Sequence, residues 1–104
     1  MNEEAVTELV QETLDLLDAG EVGLYEFMWD LNTTHTELSI EERRAVARQA
    51  LDQLLAEPDV ELIWMKWPGS TAIRRASIED VGADAWNDIG DDKLYLAIDR
   101  AQTT

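Results

Sequence analysis

A chain of 104 residues makes one domain with a modest core and leaves no room for a second. Its 45% hydrophobic share beside 30% charged residues excludes wholesale disorder, and the lack of cysteine excludes disulfides, thiolate metal sites and cysteine nucleophiles. Twenty-three acids stand against eight bases, a net charge of −15 that repels nucleic acid and anionic lipid and attracts basic partners.

The acidic opening, MNEEAVTELV, has neither a basic leader nor a long apolar run, so no signal peptide is expected. No stretch approaches the roughly 20 apolar residues of a membrane span. A cytoplasmic, non-membrane protein is the expectation. The charge is uneven along the chain. Residues 1–42 hold twelve acids and no Lys or Arg, whereas 43–75 hold six bases and four acids, and 76–104 turn acidic again. A soluble protein from an acidic proteome carries the same balance, so the charge leaves both a binding and a solubilising reading open.

Asn2 to Asp18 reads as the first helix, burying Val6, Leu9, Val10, Thr13, Leu14 and Leu17. Acids crowd its other face, and Ala19-Gly20 ends it with a residue suited to a left-handed helix cap. Glu21-Val22-Gly23 is long enough only for an isolated bridge. Leu24 to Leu31 follows as a short helix, apolar on most of its circumference and so deeply buried. Asn32 to Thr36 reads as a polar loop. The lone His35 in it reads as a solvated side chain rather than a general base.

Ser39 to Ala56 is the long helix. Ser39 and Glu42 have the spacing of a capping box, and Val46, Ala47, Ala50, Leu51, Leu54 and Leu55 form one apolar stripe. Pro58 pushes the preceding residue out of the helical region and ends it. The strand Val60 to Trp67 comes next, with Val60, Leu62 and Trp64 on one face and Ile63, Met65 and Trp67 on the other. Both faces need a cover. The helices supply one, and a further short helix over Ser77 to Ile89 is expected to supply the second.

Pro68-Gly69-Ser70 is a turn signal, and Thr71 to Ala76 reads as a short edge strand or extended loop. Gly90-Asp91-Asp92 reads as an acidic turn, not a calcium loop, because its spacing lacks alternating ligands and a closing glutamate. Lys93 to Asp99 is a last strand pairing antiparallel with 60–67. Residues 101–104 form a polar tail outside the domain, 1–100. The four tryptophans fall at core spacings, but one left at the surface would anchor a partner or a second subunit. Oligomeric state stays open.

Helix, bridge, helix, long helix, strand, small helix, strand is an order that resembles the winged helix-turn-helix superfamily, with the excursion 68–92 in place of the wing. The fold class expected is α+β and winged-helix-like: three N-terminal helices, a small antiparallel sheet, and an additional short helix between its strands. The resemblance implies a DNA-binding regulator. Helix 39–56 would enter the major groove with Arg43, Arg44, Arg48 and Gln49, while Arg74 and Arg75 grip phosphate. Glu41, Glu42 and Asp52 on the same helix oppose that role.

The favoured reading is a non-enzymatic protein-interaction domain that meets a basic partner through Glu4, Glu8, Glu12, Asp15, Glu21 and Glu26. In composition the chain is similar to small inhibitors and immunity proteins, whose carboxylates fill the basic cleft of a nuclease. No phosphate loop, histidine pair at metal spacing or nucleophile elbow is present, so no catalytic residue, metal or cofactor is expected.

Overall fold

Ser39 starts the long helix as its spacing requires. Its Oγ accepts from Glu42 N at 3.1 Å, and Glu42 Oε1 accepts from Ser39 N at 3.0 Å. A computed structural model describes residues 3–66, 71–86 and 94–100 of the chain. Among them lie three α-helices, α1 (Glu3–Leu17), α2 (Leu24–Thr34) and α3 (Ile40–Leu55). Four strands accompany them, β1 (Val22–Gly23), β2 (Val60–Lys66), β3 (Thr71–Arg75) and β4 (Leu94–Arg100), so the fold is α+β. The strands form one antiparallel sheet in the order β1-β4-β2-β3.

Register explains the layering. Leu62 faces Ile98, and Trp64 faces Leu96 across β2 and β4. Alternation therefore turns Val60, Leu62, Leu96 and Ile98 to one side, where Val22 of β1 joins them. Against that side pack Val6 and Leu9 of α1, Leu24, Phe27 and Leu31 of α2, and Val46, Ala47, Ala50, Leu51 and Leu54 of α3. The apolar stripe of α3 is thus buried from Val46 to Leu54, with Leu55 half-buried at its end. Thr13, also buried in α1, satisfies its hydroxyl by donating to Leu9 O at 2.7 Å.

The other face of the sheet buries Ile63, Met65 and Ala97, with Tyr95 against them. The expected second cover is corrected here. No α-helix forms over the described part of 77–89; two single 3-10 turns, Ile78–Asp80 and Ala83–Trp86, stand in its place. Ser77 N does donate to Asp80 Oδ2 at 3.0 Å, so a turn starts. Val81 then turns extended just ahead of Gly82 and stops it. Val81 and Trp86 go to the helical side, where Trp86 meets Phe27 with ring centroids 5.9 Å apart. This segment thickens the first cover and leaves the second face to a smaller cluster.

Residues 32–34 are a second correction. They extend α2 rather than forming a loop: the helix closes with His35 N donating to Leu31 O at 2.9 Å, and the Thr33 and Thr34 hydroxyls are occupied by the carbonyls of Trp29 and Asp30 at 3.0 and 2.9 Å. Trp67, the turn at 68–70, the end of the expected helix at 87–89, the acidic turn at 90–92 and the tail lie outside the described residues.

Arg100, at the end of β4, ties the sheet to two distant points. It donates to Asp59 Oδ2 at 2.6 Å and to Asp18 Oδ1 at 3.2 Å, joining the α3–β2 turn to the end of α1. Gly20 follows that end with φ of 155°, a positive-φ conformation that glycine reaches at little cost. A Cβ there meets nothing within 4 Å, as at Gly82, so the two glycines differ in backbone conformation rather than space. Gly20→Ala is therefore expected to cost about 1–3 kcal/mol, and Gly82→Ala less than about 0.5 kcal/mol either way. Urea denaturation of the two variants compares them directly.

Candidate functional site

The acidic residues of α1 recur at turns of the helix. Glu4, Glu8, Glu12 and Asp15 are all exposed, opposite the stripe that packs on α3 and the sheet. Alongside them α1 and α2 bound a cleft of about 320 Å³. Its floor is apolar, from Leu9, Val22 and Phe27, with the half-exposed Leu16 beside them. Its rim carries four carboxylates, Glu12 and Asp15 from α1 and Glu26 and Asp30 from α2.

The six carboxylates read from the sequence as a partner face are not equivalent. Glu4 and Asp15 are exposed, while Glu21 is half-buried. Glu26 acts locally, for its Oε2 accepts from Gly23 N at 2.7 Å, the half of a capping box that a glycine allows. Glu8 bonds His35 Nε2 at 3.0 Å. Glu12 and Asp30 line the same cleft, and hydrogen bonding to Asp30, its negative charge and slight burial, in that order, raise the Glu12 carboxyl above its ordinary value.

Asp30 and His35 join this region without having been anticipated. Asp30 lies four residues after Glu26, so the helical repeat of α2 was the available signal. No local spacing pointed from His35 to Glu8. The solvated reading of His35 is corrected: its side chain keeps only 16% exposure, with Glu37 Oε1 at 3.2 Å from Nδ1 and Glu8 at Nε2.

The arginines read as a DNA interface are placed differently. Arg43 is half-buried and donates three times, to His35 O at 3.2 Å, Asn32 Oδ1 at 2.9 Å and Thr36 O at 3.0 Å. It holds the turn between α2 and α3 together. Arg48 leans on Asp52 at 3.4 Å one turn along α3, with Arg44 and Gln49 exposed on the same helix. On β3, Arg75 pairs with Glu61 at 2.7 Å, and Arg74 stands 5.7 Å from the centroid of the Trp64 ring. Four of these six side chains lie on α3 and two on the edge strand β3.

Aromatic residues meet along α2. Tyr25 packs edge-on against Trp29 at 4.7 Å and Tyr95 at 5.7 Å, and Trp29 remains 53% exposed. Among the described residues no three His, Asp or Glu side chains are placed to hold a metal ion, and no helix is long and apolar enough to cross a membrane. No family model, curated protein or solved structure matches this chain.

The Glu12–Asp30 contact has a pH signature. A carboxyl whose folded pKa is raised stabilises the fold below its unfolded pKa, and that contribution is lost as pH rises through the folded value. At neutral pH the two anions repel across the cleft. Glu12→Gln, which donates an amide N–H to Asp30 without the charge, is expected to raise the melting temperature at neutral pH. The gain corresponds to a few tenths of a kcal/mol, because the pair is solvent-screened. It should shrink as the solution is made acidic and the wild-type carboxyl takes up its own proton. Scanning calorimetry at neutral and acidic pH reads the difference.

Proposed function

We propose that this chain is a small, non-enzymatic, cytoplasmic interaction domain that binds a basic protein partner through the exposed carboxylates of α1 and the rim of the α1–α2 cleft. An inhibitor or immunity-type role, in which those carboxylates occupy a cationic substrate site, is the specific form of the proposal. The observation that carries it is a continuous acidic strip, Glu4, Glu8, Glu12 and Asp15, beside an apolar-floored cleft rimmed by Glu26 and Asp30. Basic side chains have apolar stems and charged heads, so such a cleft suits both of their parts. Charge of one sign over such an area speeds encounter with a basic surface and rejects acidic competitors. Trp29, exposed on the helix that carries Glu26 and Asp30, adds an aromatic of the type that anchors interfaces.

The scaffold under this surface is, in this proposal, winged-helix-like. Element order supports it, as does a short β1 that closes on the last strand while α3 feeds β2. The excursion 68–92 contributes β3 and two 3-10 turns among its described residues. A DNA-reading α3 is the weaker alternative. Arg43 is engaged inside the fold and Arg48 has an acidic neighbour, so phosphate neutralisation would rest on few cations.

Capture from the source extract on immobilised protein tests the proposal, with a variant neutralised at Glu4, Glu8, Glu12 and Asp15 run alongside. A basic partner should be retained, should elute as salt rises, and should bind the variant about 10-fold or more weakly. Trp29→Ala is expected to cost about 1–2 kcal/mol of binding. Retention that ignores both the salt and the four substitutions would rule the acidic face out.

A further inference from the structure

His35 occupies a junction. Its N–H closes α2 by donating to Leu31 O at 2.9 Å, and its carbonyl accepts from Arg43 of α3 and from Leu38 N at 3.2 Å each. Its ring reaches 27 residues back along the chain to Glu8 of α1 at 3.0 Å, while the other nitrogen meets Glu37 of the α2–α3 turn at 3.2 Å. A neutral imidazole has one donor and one acceptor nitrogen, and a carboxylate only accepts. A carboxylate at each nitrogen is thus satisfied by one form of the ring, the doubly protonated cation.

We propose that His35 is a pH-sensitive latch, closed as the imidazolium, that fastens α1 through Glu8 to the turn joining α2 and α3. The charged groups facing it are Glu8 from α1, Glu37 from the turn and Arg43 from α3, whose guanidinium bonds the His35 carbonyl and opposes the imidazolium. Partial burial pulls the pKa of the ring down, but the hydrogen bonds and charges of Glu37 and Glu8 outweigh it and leave a net rise. Glu37 shifts the opposite way, lowered by its own backbone hydrogen bond and then by His35, so it stays an anion into mildly acidic solution.

A histidine whose folded pKa is raised stabilises the fold fully below its unfolded value, about 6.5, and the contribution is lost as pH rises through the folded value. On deprotonation one nitrogen presents a lone pair to a carboxylate, and that strand of the latch lets go. The device stands whether or not α1 meets a partner.

His35 is the sole histidine in the sequence, so its ring proton resonance can be followed without ambiguity in the full chain. The titration is run on wild type, Glu8→Gln, Glu37→Gln, the double variant, and Glu79→Gln as a remote loss of the same charge. The wild-type midpoint is expected above about 6.5, with each of the first two substitutions lowering it by about half a pH unit or more and Glu79→Gln barely moving it. The fall in melting temperature between about pH 6 and pH 8 should shrink by about half or more in His35→Gln. A wild-type midpoint at or below the ordinary value would overturn the latch. So would Glu8→Gln and Glu37→Gln shifts no larger than that of Glu79→Gln, which would make the histidine a reporter of net charge alone.

Discussion

Seven consecutive residue pairs join β2 to β4, and the rest of the molecule hangs from that ladder. It brings together segments some thirty residues apart in sequence, so its closure entropy must be offset by burial on both faces. The register sets Leu62 beside Ile98 and Ile63 beside Ala97, which assigns each apolar side chain to a layer. A slip of one residue would exchange the two faces. β1 adds two pairs on the outer side of β4, and through them the connection between α1 and α2 is pinned to the sheet. The α3 stripe then has a fixed surface to pack on, and the exposed side of α1 is left facing water.

That arrangement decides how the chain uses its few cations. Arg43 stitches the α2–α3 turn, Arg100 ties Asp59 to Asp18, and Arg48 and Arg75 each lie beside one acid. Bases are used mainly to neutralise local excess negative charge or to satisfy backbone carbonyls. Carboxylates are in such surplus that α1 displays four without a basic neighbour in sequence, and the chain tolerates the resulting repulsion. A net charge of −15 over 104 residues favours solubility in general and opposes compaction. The proposed interaction surface is where that repulsion would be relieved, by a cationic partner supplying charge that the chain lacks.

Much of this architecture was legible in the residues because it is local. The α3 stripe, the Ser39–Glu42 cap, the buried Thr13 and the β4 alternation all follow from spacing along one element. The failures are contacts between elements. Thr33 and Thr34 stay in α2 although propensity counts against them, because the backbone ladder runs on to His35 and their hydroxyls find carbonyls one turn back. The stretch after Ser77 carries helical spacing, but Val81 and Gly82 break it after one turn and Trp86 follows Phe27 to the helical side. Asp30 and His35 acquire their chemistry from Glu12 and Glu8, residues on another helix; the repeat of α2 places Asp30 beside Glu26, but nothing in the segment around His35 points to Glu8. Glu26 looked like a free surface acid, and its capping role depends on β1 ending at Gly23.

If the acidic α1–α2 face, and not α3, is the surface at which this protein meets other molecules, the two should respond differently to ligands of opposite charge. A residue-resolved amide NMR titration with an arginine-rich peptide, and in parallel with a mixed-sequence DNA duplex at low salt, separates them. The acidic face should give shifts along residues 4–15 and 26–30 with the peptide, and the duplex should produce no response. Saturable shifts along residues 40–55 with the duplex, or peptide shifts spread evenly over the acidic surface, would contradict that assignment.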